Sequence, residues 1–371
     1  MGVIRKFIQK IFKKPVLWAA EKLSSSPDKT KIFNSLSDLL KAIENGDEGR
    51  GPLLKDSIEN CRYIIFSDQH KGGRDAADDF RLSEKNYRAA LDYYYQNNYT
   101  LISLGDAEEL WENTPKVVIE KNYTELQQEA LFQKNKRYHR VYGNHDLEWK
   151  YPFQQQLYLR KIFGSELKVP EGVLITVPFN NEVFKIFMAH GHQGDVKSDS
   201  NPLSTWVVAA IWTPIQRYLE ISLNTTADSF ELVDKHNIMM YEWSAEQKNL
   251  LFISGHTHKP VFASLDHIER LNKKLEQAKE TGNIALTEKV TAELAFRQKE
   301  YAGKLFHKTM AIPTYFNSGC CCFSDGDITG IEIADGEIRL IKWEETDGIP
   351  VRKTLEYASM QYLFDQVRKR D

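Results

Sequence analysis

Short apolar runs that end in polar turns recur along the middle of the chain. The runs are rich in β-branched and aromatic residues, which is typical of buried strands. They cover residues 63–66, 100–104, 138–142, 183–189 and 250–253. Between some of them, as over residues 81–96, apolar residues recur at helical spacing. This alternation predicts an α/β fold in which sheets and helices form layers.

Every one of these predicted strands is followed directly by Asp, Asn or His. The residues concerned are Asp68, His70, Asp106, Asn144, His145, Asp146, His190, His192, His256 and His258. In layered α/β folds, ligands gather at the carboxyl ends of the strands. Carboxylate, amide and imidazole groups suit Mn, Fe, Zn or Ni. The absence of a nearby cysteine in these turns argues against a closed structural zinc site.

The spacing of these residues suits two neighbouring ions. His256 and His258 are separated by one residue, so each ring can serve a different ion. The two carboxylate oxygens of Asp106 can bridge the pair. Two divalent ions roughly 3.5–4 Å apart form a clamp for in-line displacement at phosphorus, in which a metal-activated water attacks. The sequence therefore predicts a dinuclear-metal-dependent hydrolase of phosphoric esters.

The five polar blocks, taken together and in this order, resemble those of the calcineurin-like metallophosphoesterase superfamily. The blocks are Asp68-x-His70, Gly105-Asp106, Gly143-Asn144-His145-Asp146, His190 in HGH, and Gly255-His256-x-His258. The resemblance implies one ion held by Asp68, His70 and His258. It implies a second ion held by Asn144, His190 and His256, with Asp106 bridging the two.

The same resemblance implies a fold and the catalytic roles of two residues. The expected fold is a two-sheet β-sandwich flanked by helices. His145 would contact the phosphate and protonate the leaving oxygen, and Asp146 would orient the His145 ring. The expected cofactors are two divalent ions, with Mn preferred and Fe, Zn, Ni or Co also suited to the donors.

Two blocks resemble one branch of that superfamily, the UDP-diacylglucosamine pyrophosphohydrolases. They are Gly105-Asp106-x-x-Glu109-x-Trp111 and His190-Gly191-His192-x-x-Asp195. The resemblance implies a nucleotide-lipid substrate cleaved at a membrane surface. His192, Arg74 and Glu109 are candidates for substrate binding. Arg74 and Lys71 fit equally well as solvated charges of a loop.

The organisation predicted along the chain is one catalytic domain with additions at both ends and two helical insertions. The expected segments are an N-terminal helical extension (1–55), the catalytic domain (56–345), an apolar helical cap (196–247), a charged helical hairpin (265–305) and a C-terminal helical tail (346–371). The hairpin can be a solvated decoration, a lid or an oligomer contact. Alternating segments around Asp335-Gly336 predict a β-hairpin that closes a second sheet.

The first 20 residues combine apolar residues at helical spacing with lysines and an arginine. This pattern fits a helix lying on an anionic membrane surface, and it also fits a helix packed on its own domain. No run of residues reaches the ~18 apolar positions that a spanning helix needs. We therefore expect a cytoplasmic protein, either free or peripheral at the inner membrane surface.

Composition narrows these predictions further. Apolar residues make up 42% of the chain, which excludes disorder as a description of the whole. The net charge of −3 argues against a nucleic-acid partner, and so against a nuclease of the same superfamily. Cys320, Cys321 and Cys322 are adjacent, which indicates a reducing compartment and small buried residues. A non-catalytic binding scaffold remains an alternative, and the substrate and oligomeric state stay open.

Overall fold

Two mixed β-sheets lie face to face, with helices on the outer face of each, in the computed structural model of the chain. The structure describes residues 28–195, 230–300 and 312–368. In chain order the strands are β1 Leu53–Lys55, β2 Tyr63–Phe66, β3 Thr100–Leu104, β4 Tyr138–Val141, β5 Gly172–Phe179, β6 Glu182–Ala189, β7 Leu250–Ser254, β8 Val261–Phe262, β9 Leu265–Asp266, β10 Tyr315–Asn317, β11 Ile328–Ala334, β12 Glu337–Thr346 and β13 Ile349–Ser359.

Helices connect and cover these strands. In chain order they are α1 Lys29–Asn45, α2 Phe80–Gln96, α3 Pro115–Lys121, α4 Tyr123–Lys134, α5 Phe230–Glu246, α6 His267–Glu280, α7 Ile284–Glu300 and α8 Met360–Arg368. Between β4 and β5 lie a 3₁₀ turn and three short helical segments, Leu147–Lys150, Pro152–Gln154, Gln155–Leu159 and Arg160–Phe163. Among the described residues, no helix has both the length and the apolar character needed to cross a membrane.

The order of the strands places the predicted polar turns at one edge of the sandwich. The first sheet has seven strands in the order β1-β5-β6-β7-β10-β8-β9, and the second has six in the order β13-β12-β11-β2-β3-β4. In the second sheet, β2, β3 and β4 are parallel neighbours, so their carboxyl ends meet. In the first sheet, β6 and β7 are also parallel neighbours. The two-sheet fold expected from the sequence is confirmed.

The side chains of β2 point alternately to the two faces of its sheet, and both faces are covered. Tyr63 and Ile65 face the core between the sheets, and Ile64 and Phe66 face the helices on the outside. Successive side chains of a strand point to opposite faces, so a strand covered on both sides is apolar throughout. All four residues of β2 are buried, which explains why the run lacks polar positions.

All five strands predicted from the apolar runs are present, and their ends differ from the prediction by one residue at most. The predicted hairpin around Asp335 and Gly336 is also confirmed, because β11 and β12 pair in antiparallel register across this turn. Asp335 has φ 56° and Gly336 has φ 75°. These left-handed conformations are those of the two-residue turns that favour Asp-Gly.

The prediction of a helical tail over residues 346–371 is wrong for most of its described part. Residues Ile349–Ser359 form β13, which pairs with β12 along its length, and only Met360–Arg368 are helical. A second Asp-Gly turn causes the reversal, with Asp347 at φ 51° and Gly348 at φ 78°. The α8 helix then buries Met360, Leu363 and Phe364 in the core between the sheets.

The N-terminal segment is not an appendage, as far as the structure describes it. Ile32, Leu36 and Leu39 of α1 are buried against the outer face of the first sheet. The strand β1 pairs in parallel with β5 and extends that sheet. The predicted boundary at residue 55 is therefore corrected, because these residues share the core of the two-sheet domain. The membrane helix predicted for residues 1–20 lies outside the described residues.

The two predicted insertions have different outcomes. The helical hairpin is present as α6 and α7, which turn at Gly282 and pack through Leu271, Val290 and Leu294. Of the predicted cap over residues 196–247, residues 196–229 lie outside the described ranges. Its remaining helix, α5, packs Met240 and Trp243 on the outer face of the first sheet and belongs to the fold itself.

Candidate metal centre

The five polar turns converge at the edge where the two sheets meet. Of the seven predicted metal ligands, five have left-handed backbone conformations, with φ between 48° and 69°. They are Asp68, His70, Asp106, His256 and His258. A positive φ is uncommon outside glycine and costs free energy, and such conformations cluster at functional sites. The strained turns aim these side chains at one another.

The residues predicted for the first ion form one close group. Nε2 of His70 lies 3.1 Å from Nε2 of His258. Nε2 of His258 lies 3.3 Å from Oδ1 of Asp68. Donor atoms bound to a common ion at roughly 2.0–2.2 Å lie about 3 Å apart. The spacing of these lone-pair atoms therefore fits a shared cation.

The residues predicted for the second ion form a group that shares Asp106 with the first. Oδ2 of Asp106 lies 3.1 Å from Nε2 of His190 and 3.8 Å from Nε2 of His70. Donor atoms of Asp106, His190 and His256 all lie within 4.8 Å of one another. Asp106 therefore stands between the two groups of predicted donors.

Unsatisfied buried atoms support the same assignment. Oδ1 of Asn144, Nε2 of His190 and Nε2 of His256 are buried and have no partner in hydrogen-bond geometry within the described part of the chain, although Nε2 of His190 lies 3.1 Å from Oδ2 of Asp106. Buried polar atoms normally have partners, because leaving one unpaired costs about 1–3 kcal/mol. A divalent ion satisfies all three, so the donor set fits the metals implied by the sequence.

Charges within the site favour ionised carboxylates. Burial alone raises the pKa of Asp106, but the rings of His190 and His145 bring it well below its usual range. Burial alone lowers the pKa of His190, but Asp106 and Asp68 raise it to about 9. The carboxylates are thus negative at neutral pH, and a cation that enters must displace a proton from the imidazole.

Glycines keep the backbone close to these side chains. A Cβ on Gly143 would overlap the carboxylate of Asp106. Gly105 has φ 85°, and a Cβ there would lie 2.5 Å from the ring of His190. Both positions therefore require glycine, and they hold the turns after β3 and β4 against the site.

His145 lies at the accessible side of this group. Its side chain is 19% exposed, whereas those of His190 and Asp68 are fully buried. Nδ1 of His145 lies 2.7 Å from Oε2 of Glu109. Trp111 stacks on the His145 ring, with centroids 4.0 Å apart and planes 16° apart. Burial alone lowers the pKa of His145, but Glu109 and Asp106 raise it to about 9.

The prediction that Asp146 orients His145 is corrected. Oδ2 of Asp146 accepts the backbone N–H of Ala107, and Oδ1 accepts that of Gly143. These two hydrogen bonds of the Asp146 carboxylate link the turn after β3 to the turn after β4. The orienting carboxylate is that of Glu109, which also lies 2.9 Å from Nδ1 of His70. Glu109 thus contacts a predicted metal ligand, and its contact with a substrate stays a prediction.

Two basic residues that follow the first polar turn form ion pairs within the protein. The guanidinium of Arg74 pairs with Glu84 at 2.8 Å and with Glu125 at 3.0 Å, and its contact with a substrate stays a prediction. Lys71 is fully buried, and its Nζ lies 2.7 Å from Oε1 of Glu129. Both side chains form ion pairs within the protein, with carboxylates of helices α2 and α4.

His192 is buried next to a predicted metal ligand. Its ring centroid lies 5.5 Å from that of His190 and 6.2 Å from that of Tyr142. Contact of His192 with a substrate stays a prediction.

A buried charged group behind the site was not found from the sequence. Glu108 accepts hydrogen bonds from Arg140 and from Nε1 of Trp149, and Lys71 lies 3.7 Å from it. These residues come from four separate parts of the chain. Only the position of Glu108 beside Asp106 and Glu109 could have indicated that it faces the interior.

Comparison with solved structures finds chains of low identity. Vacuolar Protein Sorting 29 from Cryptosporidium parvum is 14% identical, with 81% of this chain and 98% of that chain covered and a TM-score of 0.31. A Vps29 mutant from Entamoeba histolytica is 16% identical, with 80% and 99% covered and a TM-score of 0.30. A dimetal phosphatase from Danio rerio is 10% identical, with 81% and 100% covered and a TM-score of 0.35. No curated protein matches the chain.

A family comparison is more informative. The family described as calcineurin-like phosphoesterase matches residues 61–260. This range spans all five polar turns, from Asp68 to His258, and covers more than half of the 371 residues. The chain therefore belongs to the calcineurin-like phosphoesterase family.

Proposed function

We propose that this chain hydrolyses phosphoric esters with two divalent metal ions and that His145 is its general acid. The observation that carries the proposal is the position of Asp106. Its Oδ2 lies 3.1 Å from His190 and 3.8 Å from His70, and its Oδ1 accepts the backbone N–H of His145 at 2.8 Å. The Asp106 carboxylate thus contacts both groups of proposed metal donors, and it also accepts a hydrogen bond from the backbone of the proposed acid, His145.

The chain's own residues supply the proton and hold the acid in place. When bound, the two ions activate water and stabilise negative charge on the phosphoryl oxygens. In the metal-free chain, Glu109 and Asp106 raise the pKa of His145 to about 9 against the opposing effect of burial, which favours the protonated ring. Glu109 accepts a hydrogen bond from Nδ1–H of His145, which leaves Nε2–H to donate to the leaving oxygen. The Trp111 ring restrains the plane of the imidazole.

The test is hydrolysis of two substrates that differ only in their leaving group. Metal-loaded protein should cleave aryl and alkyl phosphate esters, and a chelator should abolish both activities. General acids contribute about 10²–10⁴-fold. The variant His145→Ala should lose about that much activity on the alkyl ester and less on the aryl ester, because a good leaving group needs less protonation.

The matched control is His139→Gln, because His139 lies on β4 outside the polar turns. This variant should retain the activity of the native protein on both esters. Full activity of His145→Ala on the alkyl ester would refute the proposed acid.

We expect Mn²⁺ to support activity, because oxygen donors and imidazoles surround both proposed positions. The non-catalytic scaffold is the alternative, and metal analysis separates the two. A phosphoesterase should purify with, or take up, roughly two equivalents of divalent metal. The complete set of seven donors supports the enzyme, since a scaffold has no need to keep them.

The narrower proposal concerns the substrate. Resemblance of the Glu109 and Trp111 block to that of the UDP-diacylglucosamine pyrophosphohydrolases supports a nucleotide-lipid, and both residues contact the proposed acid. A screen of phosphorylated metabolites, nucleotides and nucleotide-lipids with Mn-loaded protein tests it. A higher kcat/KM for a plain monoester than for any nucleotide-lipid would refute the narrower proposal and leave the broader one intact.

A further inference from the structure

The turns after β2 and β3 pair with each other through their backbones beside the proposed metal centre. The N–H of His70 donates to the carbonyl of Asp106 at 2.9 Å. The N–H of Glu109 donates to the carbonyl of Lys71 at 3.1 Å, and Lys71 and Glu108 form a parallel β-bridge. Adjacent residues of an extended segment point to opposite sides. His70 and Glu109 therefore face the metal centre, whereas Lys71 and Glu108 are fully buried on the other side.

The buried side of this pair of turns carries an ionic network. Glu108 accepts hydrogen bonds from Nη2 of Arg140 and, at 2.8 Å, from Nε1 of Trp149. Nζ of Lys71 lies 3.7 Å from Oε1 of Glu108 and 2.7 Å from Oε1 of Glu129. All four charged side chains are fully buried. Charges from two turns, from β4 and from helix α4 thus meet directly behind the residues that face the metal centre.

Arg140 stands between two carboxylates of this network. Its Nη2 contacts Glu108 and also lies 3.9 Å from Oδ2 of Asp146. The Asp146 carboxylate accepts the backbone N–H groups of Ala107 and Gly143, each of which is adjacent to a proposed metal ligand. Opposite charges attract strongly where water is excluded. Loss of the charge on Glu108 would therefore draw the guanidinium toward Asp146 and weaken the two hydrogen bonds that hold the turns.

The stability of the fold alone gives no reason for these charges. Nε and Nη1 of Arg140 are buried and have no hydrogen-bond partner within the part of the chain that the structure describes. The guanidinium lies 5.7 Å from the centre of the Trp149 ring and 6.0 Å from that of Phe163, so an apolar side chain would suit the same space. Replacement of a buried ion pair by apolar residues of similar volume often leaves stability unchanged or raises it.

We propose that Glu108 and Arg140 are positioning residues, which hold Glu109 against His145 and so set the geometry of proton transfer. The inference rests on the proposed function, because it requires His145 to act as the acid. Glu108 precedes Glu109 in the same extended turn, so a shift of one moves the other. The N–H of Leu110 also donates to the carbonyl of His145 at 3.1 Å, which ties this segment to the turn after β4. Glu108 and Arg140 both lie outside the residues that carry the family resemblance.

The test separates stability from position with a single and a double variant of the full chain. Glu108→Gln keeps an acceptor for Trp149 but leaves the buried charge of Arg140 without its partner, so metal-free protein should unfold at a lower urea concentration than native protein. Glu108→Gln/Arg140→Met removes both charges, and its urea midpoint should return to the native value. The rates of alkyl-ester and aryl-ester hydrolysis are then measured with metal-loaded proteins.

The readout is the ratio of kcat for the alkyl ester to kcat for the aryl ester. The double variant should keep the aryl-ester kcat within about threefold of the native value and lose about 10–100-fold on the alkyl ester, whose leaving group needs the proton. A network that merely stabilises the fold would restore both activities together with the urea midpoint. A native ratio in the double variant would therefore overturn the inference.

Two further variants make this result secure. In Arg140→Met alone, Lys71 remains 3.7 Å from Glu108 and balances its charge, so the same fall in the ratio is expected there and can be measured even if the double variant does not fold. Glu332→Gln/Arg352→Met is the matched control, because this ion pair, 2.8 Å apart, links β11 and β13 away from the polar turns. Its ratio should be native.

The outcomes distinguish this inference from the proposed function. Native protein that hydrolyses both esters, together with a native ratio in Arg140→Met and in the double variant, would overturn the positioning role and leave the phosphoesterase in place. Metal-loaded native protein that hydrolyses neither ester would overturn both.

Discussion

Oε2 of Glu109 lies 2.7 Å from Nδ1 of His145, and this contact joins the turn after β3 to the turn after β4. The same oxygen lies 2.9 Å from Nδ1 of His70. One carboxylate therefore meets Nδ1 of a proposed metal ligand and Nδ1 of the proposed acid, and orients both rings. Charge-assisted hydrogen bonds of this kind are short and strong, so we expect Glu109 to couple metal binding to proton transfer.

The first prediction concerns Glu109→Gln. Removal of the negative charge lowers the pKa of His145, which Glu109 and Asp106 raise to about 9 against the opposing effect of burial. An acid must be protonated to act, so activity is lost as pH rises through its pKa. We expect the alkaline limb of the kcat/KM profile to move to lower pH and the maximum to fall about 10–100-fold.

Glu120→Gln is the control for this variant, because Glu120 is an exposed residue of α3 whose closest cation, Lys116, lies 3.9 Å away. Its pH profile should match that of the native protein. An unchanged alkaline limb in Glu109→Gln would show that Glu109 does not tune the acid.

The second prediction concerns Asp106→Asn. An amide in place of the shared carboxylate removes one charge and one bridging oxygen from both donor groups. Loss of a residue that merely supports a ligand costs about 10–100-fold in metal affinity, so loss of the bridge should cost more than about 100-fold. Metal content after gel filtration and hydrolysis of an aryl ester provide the measurements.

Asp47→Asn is a matched substitution at an exposed turn far along the chain from the polar blocks. It should purify with the metal content and activity of the native protein. Retention of two ions by Asp106→Asn would contradict the bridging role.

The third prediction concerns stability and pH through Glu148. Burial and the nearby charges of Asp146 and Glu109 raise the pKa of Glu148 from 4.5 to about 7. Between these pH values the folded chain binds more protons at this site than the unfolded chain, so the free energy of unfolding falls as pH rises from 4.5 to 7. The side chain of Gln does not titrate, so the variant Glu148→Gln should not lose this free energy of unfolding as pH rises.

We expect Glu148→Gln to be more stable than the native protein at pH 8 and equal to it near pH 4.5. Each pKa unit corresponds to about 1.36 kcal/mol, but partial exposure reduces the effect to about 1 kcal/mol. Urea unfolding of both proteins, free of metal, at the two pH values measures it. A larger advantage at the acidic pH would reverse the sign and refute the assignment.

The fourth prediction tests the position of the C-terminal helix. The Phe364 ring stacks on that of Phe184, with centroids 4.5 Å apart, inside the core between the sheets. Replacement of a buried Phe by Ala costs about 3–5 kcal/mol. Phe364→Ala should therefore lose about that much free energy of unfolding. Tyr362→Ala, two residues away on the exposed face of α8, should change it by less than about 0.5 kcal/mol.

Local patterns in the sequence determined the strands and the chemistry that follows them. The run at residues 63–66 is apolar throughout because both faces of β2 are covered, and Asp68 and His70 follow where the strand ends. The Asp335-Gly336 turn was predicted because its residues tolerate left-handed conformations. An equivalent Asp347-Gly348 turn precedes β13, in the segment where a helical tail is predicted.

Only the tertiary structure decided which of two neighbouring acids meets His145. Asp146 is adjacent in sequence but turns to backbone N–H groups, whereas Glu109 arrives from another strand. The direction of a side chain in a left-handed turn depends on contacts between segments far apart in the chain, and periodicity carries no information about them. For the same reason the sequence does not distinguish the three adjacent cysteines, whereas the fold places Sγ of Cys322 3.9 Å from Nδ1 of His258 and Sγ of Cys321 3.9 Å from the carbonyl oxygen of Thr329.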